Sequence, residues 1–107
     1  MNFVLNSQKA IPLTQASIAY GSITSSYQLV GSVFSAPLVQ LIIISTMNDS
    51  VQFSWDGINA FIPIVSGATV IIDVNSNKIS VPANSGAYVK LLGSPSSGSL
   101  YVSGFTV

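Results

Sequence analysis

Val51, Phe53 and Trp55 alternate with Gln52, Ser54 and Asp56. Successive side chains of a β-strand point to opposite faces, so this period of two lays large apolar groups on one side and polar groups on the other. The same alternation runs through 68–74, where Val70, Ile72 and Val74 are expected inward and Thr69 and Asp73 outward, with Ile71 an apolar exception. Segment Leu38–Ser45 is apolar on both faces apart from Gln40 and Ser45, which predicts a central strand covered on both sides. Further strands are expected at 17–20, 26–34, 61–65, 87–92 and 99–107, making about eight. No segment carries a helical period.

Residues that accept positive or fixed φ punctuate these strands. They are Asp56-Gly57, Ser66-Gly67, Asn75-Ser76-Asn77, Asn84-Ser85-Gly86 and the run from Gly93 to Gly98, all read as hairpin corners. Pro63 donates nothing to a ladder, which confines its strand to a sheet edge or a bulge. Gly104 is expected to mark a bulge, because the inward side chains switch from Leu100 and Val102 to Phe105 and Val107. Many short strands with turns between them predict an antiparallel β-sandwich, jelly-roll-like or immunoglobulin-like. The 107 residues suit one domain, 14–107, preceded by a possible N-terminal arm, 1–13, that is irregular and carries Pro12.

Charge is the scarcest component. Only 6% of residues are ionised, against about 25% in an average domain, and the inventory is Lys9, Lys78, Lys90, Asp49, Asp56 and Asp73. Three scattered lysines form no phosphate-binding footprint, so no nucleic-acid partner is expected. The longest purely apolar run is 41–44, far short of the roughly 20 residues of a membrane helix, so no membrane partner is expected either. Residues 1–13 lack the basic and apolar regions of a signal peptide. The chain has no cysteine, which excludes disulfides and thiolate metal sites.

Catalysis needs a base beside a nucleophile, and the chain offers no His, Glu or Cys for either role. It reads as non-enzymatic, with no catalytic, cofactor or metal residue to name. Asp49 and Asp56 flank one strand as turn residues and Asp73 is an outward strand charge, a spacing that matches no calcium loop. Tyr20, Tyr27, Tyr88, Tyr101 and Trp55 raise the alternative of a carbohydrate- or host-surface-binding module, but Trp55 alternates in phase with core residues. Asn48-Asp49-Ser50 fits a glycosylation sequon without a secretory signal beside it.

Neutral, sparsely charged surfaces associate, and bare strand edges pair with other chains unless Lys, Pro or bulges guard them. Pro63, Lys78 and Lys90 are the candidate guards, so some edges or faces are expected to be occupied by neighbouring subunits. The succession Tyr27-Gln-Leu-Val-Gly31, Leu38–Ser45, Val51-Gln-Phe-Ser-Trp-Asp-Gly57, Phe61-Ile-Pro-Ile-Val-Ser-Gly67, Val70-Ile-Ile-Asp73 and Gly98-Ser-Leu-Tyr-Val-Ser103 resembles small structural proteins of tailed-bacteriophage virions. The likeness spans 27–107 and rests on order and spacing. It implies a β-sandwich virion component, decorating the head or sitting at the neck or tail and assembled in the bacterial cytoplasm. The implied partners are other virion proteins and copies of itself, with no catalytic residue to carry over.

Overall fold

The computed structural model of the chain describes residues 10–74 and 79–107. Among the described residues nine strands form: β1 (Ile11–Pro12), β2 (Ala16–Ala19), β3 (Gln28–Leu29), β4 (Leu38–Ser45), β5 (Val51–Ser54), β6 (Ile62–Ile64), β7 (Thr69–Asp73), β8 (Tyr88–Leu91) and β9 (Ser99–Thr106). They make two antiparallel sheets. In sheet A, β9 pairs with β1 and β2 on one side and β4 on the other, and β7 closes the far edge of β4. Sheet B runs β3-β8-β5-β6. The core lies between them, with Leu41, Ile43, Val51, Phe53, Ile64, Val89 and Leu100 fully enclosed.

The strand order decides the type of sandwich. From β2 onward the chain alternates between the sheets at every connection except β5 to β6, which stay together in sheet B. With β1 and β2 following one another along the same edge of β9, the orders β2-β9-β4-β7 and β3-β8-β5-β6 are the double Greek key of a jelly roll, and the immunoglobulin alternative does not fit. Connections β2–β3, β4–β5, β6–β7 and β8–β9 gather at one end of the sandwich; β3–β4, β5–β6 and β7–β8 gather at the other. The turn chemistry is realised, with Gly57, Gly67, Gly98 and Asn84 at positive φ. Of the expected hairpin corners among the described residues, only Asp56-Gly57 joins neighbouring strands of one sheet. The others cross between sheets, because a turn residue fixes local backbone direction and not the partner of the next strand.

Three further expectations change. Segment 26–34 keeps only Gln28–Leu29 in the ladder; beyond it Val30 and Phe34 still turn into the core, held by Val30 N–H to the Ala87 carbonyl and Phe34 N–H to the Ser85 carbonyl. The bulge lies one strand away from Gly104. Leu38 pairs with Thr106 and Gln40 with Phe105, so β4 carries an extra residue, Val39, that lets both Leu38 and Leu41 point inward. Strand β9 keeps its parity throughout, with Leu100, Val102, Gly104 and Thr106 inward. Gly104, at φ 150°, is needed there because a Cβ would fall on the Gln40 carbonyl beside the bulge. Lastly, β4 is central in its sheet but covered on one face only, since Ile44 is 42% exposed.

Pro63 stands on β6, the edge of sheet B, opposite Gln52. Lys90 belongs to β8, inside that sheet, and so guards no edge. Of the stretch 1–13, Ile11 and Pro12 pair with Thr106 and Phe105. The rest of the arm through Lys9, together with Lys78 and the turn Asn75-Ser76-Asn77, lies outside the described residues.

Candidate interaction surfaces

The outward side of sheet A is built by the residues that alternate with the core. Strand β4 contributes Gln40, Ile42 and Ile44; β7 contributes Thr69, Ile71 and Asp73; β9 contributes Tyr101, Ser103 and Phe105. Register aligns them into rows. Ile42 stands between Ile71 and Ser103, Ile44 between Thr69 and Tyr101, and Gln40 between Asp73 and Phe105. Ser17 extends the Tyr101 row and Pro12 the Phe105 row. Asp73, at the end of β7, is the one side chain charged at neutral pH among the described residues of this face. Five large apolar side chains lie across the sheet, and Ile71, on the edge strand, is 62% exposed. Sequence reasoning marked Ile71 as an outward exception but took Ile42 and Ile44 for doubly covered; the outward Ile71 beside them was the available signal.

Sheet B presents a different outside. Gln52, Pro63, Tyr88 and Lys90 face outward there, and the Lys90 ammonium sits over the Tyr27 ring at 4.8 Å, a cation–π contact. The 54–59 connection folds back over Tyr88, and Gly57 and Gly86 touch its ring where a Cβ would crowd it. This outer face mixes Gln52 and Lys90 with Leu29, Pro63 and the two tyrosine rings, and is partly covered by the chain's own loop.

The three carboxylates are apart. Asp49 lies in the β4–β5 connection, where its Oδ2 accepts the Ser94 N–H at 2.8 Å and its Oδ1 the Ser50 N–H at 2.8 Å; the Ser94 bond, then the Ser50 bond, hold its carboxyl below the usual range. Asp56 follows β5 at the other end. Its Oδ1 accepts N–H groups of Ile58 and Asn59, each at 2.8 Å, and the Ser54 hydroxyl at 2.9 Å, while its Oδ2 accepts the Asn59 side-chain amide at 2.8 Å. Led by the Asn59 backbone bond, these contacts lower its pKa strongly. Both are turn-building acceptors. No group of three potential metal ligands occurs among the described residues.

The end carrying Asp49 is tied by polar side chains. Thr46 and Ser99 exchange backbone and hydroxyl bonds of 2.9 to 3.2 Å. The Asn48 amide donates to Ser96 Oγ and accepts the Ser96 N–H, both at 2.8 Å, so the sequon asparagine is engaged at both ends.

The tyrosines do not converge. Tyr101 is on the outside of sheet A, Tyr27 and Tyr88 on the outside of sheet B, and Tyr20 in the 3-10 turn after β2. Trp55 packs edge-on against Phe53 at 4.8 Å and tilts against Phe61 at 5.4 Å, at the end opposite Asp49. A cleft of about 470 Å³ opens between 11–16 and 30–35, walled by Leu13, Val33 and Phe34 with no ionisable group.

Comparison with models of protein families, with curated proteins and with solved structures finds no match.

Proposed function

We propose that the chain is a non-enzymatic structural subunit of a tailed-phage particle, working through repeated contacts with neighbouring subunits. The observation that carries the assembly part is the outside of sheet A, with Ile42, Ile44, Ile71, Tyr101 and Phe105 on one face and Asp73 as its single described charge. Ile44 and Ile71 are exposed there and flank Ile42, and apolar side chains gathered on one surface mark an interaction surface, because leaving them in water costs the free energy that burial would recover. The virion part rests on the resemblance of 27–107. A jelly roll is compatible with that role but shared by capsid domains, lectins and cupins, so the fold alone selects none of them. Stacking on a sugar calls for aromatic rings gathered in one place with hydrogen-bonding groups around them, and the tyrosines here are spread over three surfaces.

Mass spectrometry of purified particles from a phage that encodes the chain tests the proposal. Stoichiometric presence beside the major capsid protein is the expected result, and the copy number assigns the chain to head, neck or tail. Absence from intact particles, with the chain free in the lysate, would overturn it.

A further inference from the structure

We infer that the outside of sheet A pairs with the same face of a second copy, through a two-fold axis lying between the two sheets. This deepens the assembly reading by naming the occupant of its surface, and it can fail while that reading stands.

Two arguments select a second copy. The first is charge. In a two-fold contact a patch meets its own image, so a patch carrying a large excess of one sign is repelled by it. Here the face presents Ile42, Ile44, Ile71, Tyr101 and Phe105 with Ser17, Ser103, Thr69 and Gln40 between them, and the one described charge, Asp73, stands on the edge strand. Equal numbers of Lys and Asp give the chain no net charge, so copies approach without long-range repulsion. The face likewise lacks the pattern of charges by which a foreign partner would be told from others.

The second argument is area. With eight residues in β4 and in β9, five in β7, four in β2 and two in β1, at about 3.3 Å per residue and about 4.8 Å between strands, the face covers roughly 430 Å² in projection per copy. Two copies then bury roughly 900 Å² in projection, and side-chain relief brings this to about 1,000 Å², the lower bound for a specific contact. Sheets pack face to face at about 10 Å with aligned strands, which lets the isoleucines of one layer enter between those of the other. The expected contact is a closed dimer with dissociation constant in the micromolar range, weak in solution and multiplied by repetition in a particle.

Light scattering or sedimentation of the purified chain from about 1 µM to about 1 mM reads this. The mass should rise from monomer to dimer and stop there. Ile44→Lys and Ile71→Lys each bury an unpaired charge in the contact, twice over by symmetry, and should raise the midpoint concentration at least tenfold. Ile58→Lys, at a residue 79% exposed in the 54–59 connection, should leave it unchanged. Circular dichroism checks that each variant is folded, and Ile44→Ser and Ile71→Ser, which add no charge, serve if a lysine variant does not fold. A chain monomeric at every concentration, growth beyond a dimer, or a dimer indifferent to the face variants would overturn the inference. A monomer that enters particles overturns this inference alone; a dimer absent from particles overturns only the proposed function.

Discussion

Ile43 and Ile44 are neighbours of identical chemistry on opposite faces of β4, which makes them a controlled pair. Ile43 is 0% exposed and Ile44 42% exposed. Replacing isoleucine by alanine removes three carbon groups, worth about 2.4 kcal/mol of transfer free energy when fully buried. At Ile43 a cavity between the sheets adds to that, giving a loss of about 3 to 4 kcal/mol. At Ile44 a little over half the group is shielded and the gap opens to water, so the loss is about 1.4 kcal/mol with no cavity term. Urea unfolding followed by circular dichroism, at concentrations too low for association, measures both. With a slope near 1 kcal/mol/M the midpoint should fall by roughly 3 M for Ile43→Ala and roughly 1.4 M for Ile44→Ala, at unchanged slope. In the concentration range where copies associate, the Ile44→Ala deficit should widen, since association stabilises only the wild-type face. Equal losses for the two variants at low concentration would refute the assignment of faces.

Gly98→Ala should lower the melting temperature by roughly 10 °C, an effect of about 2 kcal/mol, because the new Cβ meets the Thr46 carbonyl and the backbone sits at φ 92°. Calorimetry checks this, and an unchanged melting temperature would contradict the close approach. Asp49 and Asp56 have carboxyls depressed in the folded state, so the stability they add is complete above the ordinary carboxylate pKa near 4 and is lost as pH falls through their lower folded values. Melting temperature should therefore decline below about pH 4, and the decline should be shallower in Asp56→Ala; an identical acid limb would count against the loop network. Phe61→Ala should shift the emission of the single tryptophan, Trp55, toward the red while lowering stability by only about 1 kcal/mol, since Phe61 is 44% exposed and meets Trp55 at its ring. Emission unchanged from wild type would argue against that contact.

The sandwich was legible because side-chain parity is local: Val51 and Phe53 declare an inward face without reference to any partner, and Leu38–Ser45 has the bounds its composition suggests. The route between layers was not legible. Whether the chain leaving β6 at Val65 returns to sheet B or crosses to sheet A depends on which strands bury each other, and Ser66-Gly67 serves either path. The bulge was displaced for a similar reason. Phe105 and Val107 looked like an inward pair, whereas Thr106 is the buried residue and the extra residue sits across the ladder at Val39. Ile42 and Ile44 mark the deeper limit. Apolar side chains occur on exposed surfaces as well as in cores, so the composition of a strand does not say which of its faces is covered.

The pairing of Ile11 with Thr106 sets how the domain bears load. Tension applied at those two residues acts at one end of adjacent antiparallel strands and pulls them sideways, so the bonds of β1 and β2 to β9 open one after another like a zipper. Tension between Ile11 and the bound loops at Thr46 and Ser99 instead runs along β9 and β4 and must shear many bonds together. The domain held at its loop end would resist strain that the same domain, held by its strand ends, would not.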